Sequence, residues 1–256
     1  MLLAGGRFFI ASLVFFAVAK LQGLKLPREP REVLNLLVLG LAHTTMLNGF
    51  RFLALDLSGA GKVAVFFNTQ ALFVALFAPH FVNEQRFGLA KSIGLATGFA
   101  GVLAIFAGDI LAFSLVDLFG AFFAALGALS WTVGTFWVKR LPQESSLTLA
   151  NGIQMLAGSF PLLALGFTVE GIGRVTPSNN ALLLLGLLIA LCTCVAYILW
   201  FKALKAGPAG IISSFNFLSV VFTVTMGVFL LHEPASLVVF LGAVLVSAGI
   251  FIVNRF

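Results

Sequence analysis

The chain has 256 residues, 61% of them hydrophobic and 9% charged, with a mean hydropathy of +1.12 and a formal net charge of +6. A soluble domain of this size carries about 25% charged and about 45–50% apolar residues, so a water-soluble enzyme, a nucleic-acid reader and a disordered tail are excluded together. At roughly 20 apolar residues per membrane-crossing helix, the length holds about nine or ten spans.

Apolar runs bounded by charges, Pro and Gly follow in order: Ala4–Leu21, Val33–Leu55, Gly59–Phe81, Phe87–Ala107, Leu115–Val138, Leu147–Val169, Ala181–Ala203, Ala209–Leu231 and Ser236–Val253. They are continuously apolar, whereas strands of a membrane barrel alternate. The reading is therefore an all-α, polytopic membrane bundle of nine transmembrane helices with short loops and no soluble domain. Arg7 lies inside the first run and no small-residue cleavage site follows it, so no cleavable signal peptide is expected. Cys192 and Cys194 sit two apart in one apolar run, which suits neither a disulfide nor a metal site; they read as two small buried apolar residues. No cofactor and no metal are expected.

Charge orients the bundle. The side reached after the first span receives Lys20, Lys25, Arg28, Arg31, Arg86, Lys91, Lys139, Arg140, Lys202, Lys205 and Arg255. The other side receives only Arg7, Arg51, Lys62 and Arg174, together with Asp56, Asp109, Asp117 and Glu170. Basic residues accumulate on the cytoplasmic side of short loops, which places the C-terminus in the cytoplasm and the N-terminus outside. The basic excess thus marks a membrane face and implies no nucleic-acid partner.

Two stretches match at a constant offset of 149 residues: Ala54-Leu55 falls on Ala203-Leu204, Ala60-Gly61 on Ala209-Gly210, and Glu84 on Glu233. Each Glu is followed by a span rich in small residues, GLATGFAGVLAIF and then GAVLVSAGIFIV. In the orientation above the two copies have opposite topology, the pattern of inverted repeats in secondary transporters. The repeats are residues 1–108, with four helices, and 109–256, with five. The partner of Leu115–Val138 would fall before Met1, and a shortened chain is favoured over a nine-helix variant because a lone missing helix breaks the symmetry.

The residues resemble the drug/metabolite transporter superfamily, EamA-like branch. The resemblance spans the chain and rests on Gly6-Arg7-Phe8, Ala54-Leu55 with Gly59-Ala60-Gly61, Asn83-Glu84 with Gly98 to Leu103, Leu129-Ser130-Trp131, Trp137 to Arg140, Tyr197 to Leu204, and Leu231-His232-Glu233-Pro234 with Gly242 to Gly249. It implies two five-helix inverted repeats around a central substrate cavity, in a bacterial inner membrane. Two departures stand out. The family's mid-helix prolines are replaced by Ala71 and Val220, which restores a backbone hydrogen bond and removes that source of bending. The family's first helix, which helps line the cavity, is missing.

Polar groups at membrane depth face a cavity or a partner helix. His43 lies mid-span and is followed by Thr44, Thr45 and Asn48. It reads either as a cavity wall that binds substrate or relays protons, or as a neutral histidine bonded to a neighbouring helix. Asn48, Asn68, Gln70, Trp131, Tyr197, Ser213 and Asn216 complete the candidate cavity set, with helix-to-helix bonding as the alternative for each amide and hydroxyl. Gln154 reads as packing. Glu84 and Glu233 read as structural, fixing the turns into the next spans. The small-residue series Gly94, Gly98 and Gly101, and its counterpart Ala243 and Ser247, suits intramolecular packing and a homodimer equally.

The leading function is secondary transport of a small organic metabolite, an amino acid or related compound, with export suggested by the resemblance. The acidic residues all lie at helix ends or in loops, which disfavours a carboxylate proton relay and leaves facilitated diffusion or His-assisted exchange. A structural or regulatory membrane subunit is the alternative. An intramembrane enzyme ranks behind both, because no Ser–His or Asp–Asp pair at depth and no HExxH motif is present.

Overall fold

A computed structural model describes residues 1–27, 29–170, 178–231 and 237–255; Glu233 lies outside the described residues. The described residues form helices and turns, and nine of the helices are apolar and correspond to the nine expected spans. They are α1 (Leu2–Leu21), α2 (Pro30–Leu57), α3 (Ala60–Phe81), α4 (Leu89–Ile105), α5 (Leu115–Arg140), α6 (Leu147–Val169), α7 (Asn180–Ala206), α8 (Ala209–Ser214 with Asn216–Leu231) and α9 (Leu237–Arg255). Eight are long enough to cross a membrane, and α4 is shorter. Local chemistry starts several of them. Pro30 opens α2, where its missing N–H costs nothing. The Ser146 and Ser178 hydroxyls accept hydrogen bonds from Leu149 and Ala181 N–H at the starts of α6 and α7.

The chain divides into two compact units, Met1–Gly49 with Val133–Ala206, and Phe50–Thr132 with Gly207–Phe256. Each unit takes helices from both halves of the sequence. In the first, α1 packs antiparallel on α6: Gly5 faces Leu163, Gly166 faces Leu2, and Gly152 faces Phe15 and Phe16. In the second, α4 packs antiparallel on α9: Gly94 faces Ile252, and Gly101 faces Gly242 and Val246. In both pairs, the partners are the helices that the 149-residue offset makes equivalent.

Apolar side chains gain little by leaving lipid for protein, so helices in a membrane associate through close packing. The α4–α9 contact is of this kind. A Cβ on Gly101 would stand 2.6 Å from the Gly242 carbonyl oxygen, and one on Gly242 would stand 2.8 Å from the Gly101 carbonyl oxygen. Gly94, Gly98 and Gly101 therefore serve packing within the chain, against Gly242, Val246 and Gly249, whereas Ser247 of the expected counterpart series is exposed. The surrounding core, with Leu95, Val102, Phe217, Val246 and Ile250, closes over them.

Two sequence expectations are corrected. Without their prolines, α3 and α8 are still broken. Thr69 separates Ala60–Asn68 from Gln70–Phe81, and Phe215 separates Ala209–Ser214 from Asn216–Leu231. At these points the backbone tightens: Thr69 N–H reaches the Phe66 carbonyl at 3.3 Å and Phe215 N–H the Ile212 carbonyl at 3.2 Å, each an i→i−3 bond. The second correction concerns the cysteines. Both are free thiols, but Cys192 is exposed and Cys194 only half-buried, because α7 is 11% buried while being the most hydropathic span. It is a helix made to face lipid.

Replacing Gly101 with Val forces α4 and α9 apart against backbone, which costs about 1–3 kcal/mol. The expected result is a thermal unfolding midpoint in detergent lowered by several degrees, with Gly6→Val, where a Cβ meets open space, as the neutral control. Equal melting of the two variants contradicts the packing account.

Candidate functional site

Both units carry buried polar residues at mid-span. In the first unit, α2 changes winding over Leu41–Met46, where it becomes a π-helix. Such bulges release carbonyls from the regular ladder and concentrate at functional sites. Here two hydroxyls of the π stretch are tied to α6, and one of its carbonyls is capped within α2. The Thr44 hydroxyl donates to Gln154 Oε1 at 2.7 Å, the Thr45 hydroxyl donates to the Gly158 carbonyl at 2.8 Å, and Asn48 Nδ2 donates to the Thr44 carbonyl at 2.8 Å. A second π-helical stretch, Leu188–Val195, occupies α7. Moved by 149 residues, Leu41–Met46 falls inside it.

His43 sits within the first π stretch and is fully buried. Its ring lies edge-on to Tyr197, with centroids 5.5 Å apart, and to Phe201 at 6.1 Å. Tyr197 in turn meets Phe8 at 6.1 Å. On its other side the imidazole rests against Gly134 of α5, where a Cβ would fall 2.7 Å from the ring's Cγ. Glycine at 134 thus makes room for the histidine. Of the expected set, His43 and Tyr197 are brought together here, and Asn48 lies on the next turn of α2.

In the second unit the polar residues gather at the two helix breaks. Gln70 is the first residue of α3 after Thr69, and Asn216 is the first residue of α8 after Phe215. Ser213 lies just before that second break and is fully buried. The first segment of α8 packs on the second segment of α3, with Gly210 against Ala75. Among the described residues, Gln70 Oε1, Ser213 Oγ and Asn216 Nδ2 are buried without a hydrogen-bond partner, a state that costs about 1–3 kcal/mol for each group. Asn68 bonds the Ala64 carbonyl of its own helix at 2.8 Å. Trp131 stands edge-on to Phe67 at 6.3 Å, and the Arg51 guanidinium lies 5.3 Å from the centre of the same Phe67 ring.

Glu84 follows Asn83, whose φ of 54° turns the chain sharply after α3; asparagine tolerates that conformation better than most residues. The Glu84 carboxylate then accepts the Ala209 N–H through both oxygens at 2.8 Å, which anchors the start of α8.

Sequence reasoning did not anticipate the ion pair between Lys62 and Asp117, 2.8 Å apart and both largely buried. The Asp117 carboxylate also accepts from the Ser58 hydroxyl at 2.9 Å and from the Ser114 N–H and hydroxyl at 2.7 and 2.6 Å. Lys62 donates as well to the Ala112 carbonyl at 2.8 Å. The available signal was that an unmatched Lys and an unmatched Asp both fall at span ends on the side poor in basic residues. Gln154 and Phe201 were legible as residues but not as neighbours of Thr44 and His43.

Discontinuous helices carrying buried polar groups recur in helical membrane proteins that move solutes. Residues 1–107 and 118–255 match the EamA-like transporter family, and the chain belongs to it. Among its relatives, the "Uncharacterized transporter YoaV" of Bacillus subtilis is 25% identical over 98% of this chain and 86% of that protein. The "Uncharacterized inner membrane transporter YedA" of Escherichia coli K12 is 26% identical over 92% of this chain and 75% of that protein. The "WAT1-related protein At3g02690, chloroplastic" of Arabidopsis thaliana is 28% identical over 98% of this chain and 62% of that protein. A solved crystal structure superposes with a TM-score of 0.87 at 22% identity, covering 99% of this chain and 88% of the other, and so shares the fold. Family and relatives identify an integral membrane protein of transporter type rather than an enzyme.

Asp117→Asn leaves Lys62 charged and poorly matched at a buried position. It is expected to lower the thermal midpoint, and the double variant Lys62→Met with Asp117→Asn to recover part of the loss. Purely additive losses in this cycle contradict a coupled pair.

Proposed function

We propose that the protein is a secondary transporter that exports a small organic metabolite, an amino acid or related compound, across the inner membrane by alternating access. The two repeats, 1–108 and 109–256, serve as the inverted halves. The observation that carries this reading is the set of buried polar groups left unsatisfied at the α3 and α8 breaks, Gln70, Ser213 and Asn216. Groups of this kind are retained at a cost to stability when a ligand or water is to satisfy them. His43, Asn48, Asn68, Trp131 and Tyr197 complete the substrate-contacting set, with His43 held by its aromatic neighbours as a binding group. Among the described residues no acidic side chain lies at mid-span, which supports facilitated diffusion or exchange over a carboxylate proton relay. A charged pocket of about 450 Å³, lined by Glu29, Arg31, Glu32, Trp137 and Arg140, suits a solute bearing both charges.

A metabolite-resistance screen on cells overexpressing the protein identifies the substrate, and vesicle transport then tests the residues. His43→Ala is expected to reduce transport at least tenfold at unchanged membrane abundance, and Gln70→Ala and Asn216→Ala to raise the half-saturating concentration. Normal transport by His43→Ala contradicts its role. Resistance to no metabolite at all favours a structural or regulatory subunit. The C-terminus is expected in the cytoplasm, so a C-terminal green fluorescent protein fusion should fluoresce while an alkaline phosphatase fusion stays inactive.

A further inference from the structure

A groove of about 500 Å³ runs between α1, α6 and α7. Its walls are apolar, with Val18, Ile198 and Leu199 prominent, and Val14 and Cys194 close its deeper end. Gln22, Thr148 and Lys202 stand at the other end. These three belong together by position. Gln22 follows the last turn of α1, Thr148 lies in the first turn of α6, and Lys202 lies near the end of α7. From Cys194 to Lys202 the groove follows α7 for about 12 Å, a length that suits the upper part of an acyl chain. Its rim along α7 is lipid-facing: Val195 is 49% exposed and Leu199 58%, on the span with the highest mean hydropathy. The opening therefore faces the bilayer from the side, and its occupant must come from there.

The polar end decides which bilayer component fits. Lys202 is the one ionisable side chain among the groove's lining residues other than the Cys194 thiol. An ammonium beside an amide and a hydroxyl complements a phosphate carrying a net negative charge, and basic pockets between membrane helices recognise such headgroups. The Lys stem packs along apolar surface while its charge reaches the interface. Lys20 on the last turn of α1 and Lys205 on the last turn of α7 add positive charge at the same ends of these helices, outside the groove's lining. We infer that this groove is a binding site for an anionic phospholipid, with one acyl chain between α1 and α7 and the phosphate held by Lys202 with Gln22 and Thr148.

The test uses the full chain purified in mild detergent, mixed with phosphatidylglycerol or phosphatidylcholine of matched acyl chains, and read by native mass spectrometry. Phosphatidylglycerol should be retained preferentially. Lys202→Gln should cut that retention about fivefold while leaving phosphatidylcholine unchanged, and Lys202→Arg should preserve it. Val18→Trp, which fills the groove, should reduce retention of both lipids with Lys202 intact. Excess glycerol 3-phosphate should displace nothing. Elution volume and melting midpoint establish that each variant is folded, and Val18→Trp and Lys202→Gln serve as independent routes if one of them does not fold. Equal retention of the two lipids, an indifferent Lys202→Gln, displacement by glycerol 3-phosphate, or a dimer that Val18→Trp dissociates in place of lipid would each overturn the site.

Discussion

Inside hydrocarbon no water is at hand to satisfy a backbone group that leaves the helical ladder, and each unpaired N–H or C=O costs several kcal/mol. The helix breaks and the π stretch of α2 are shaped by that constraint. The Thr69 and Phe215 breaks do not open the backbone; they tighten it into i→i−3 bonds. In the π stretch of α2, Asn48 Nδ2 caps the Thr44 carbonyl, and the Thr44 and Thr45 hydroxyls donate to Gln154 Oε1 and the Gly158 carbonyl of α6. Departures from α-helix are affordable where a neighbour or a side chain covers them, so the unusual winding and the polar side chains occur together.

The same constraint explains the role of glycine. With little hydrophobic gain available between helices, α4 and α9 approach until backbone meets backbone, and Gly94, Gly101 and Gly242 set the distance. The α1–α6 pair uses Gly5, Gly152 and Gly166 similarly. In each pair a helix packs antiparallel on its own repeat equivalent, as a two-fold axis through the contact would produce. Rigid paired helices then carry less regular neighbours: α2 and α7 in one unit, α3 and α8 in the other.

The spans themselves were legible because continuous apolarity over about 20 residues has few other meanings. Their interruptions were not. Breaks are ordinarily read from Pro or Gly, yet Thr69 and Phe215 are neither, and a π turn leaves no compositional mark. Exposure was equally hidden. In a membrane the core-facing and lipid-facing sides are both apolar, so no periodic pattern separates exposed Cys192 from buried Thr193. Residue type pointed to His43, but its neighbours Gly134 and Phe201 lie far away in sequence and are ordinary for a membrane helix. The Lys62–Asp117 pair was half legible: the charges could be counted, their contact could not.

The π stretch in α7 also sets a phase. Ile189, Thr193, Tyr197 and Phe201 follow one another at intervals of four, and three of them are buried while Tyr197 packs on His43. In α-helical winding each step of four overshoots a full turn by about 40°, so such a series would spiral around the helix and lose its common side. The wider i→i+5 winding of Leu188–Val195 drifts in the opposite sense and cancels part of that rotation. One helix thereby presents a straighter seam to its neighbours from Ile189 to Phe201. The winding of this segment is consequently fixed as tightly as its composition: relaxing Leu188–Val195 to an α-helix at constant length would turn Tyr197 and Phe201 away from that side without altering a single side chain.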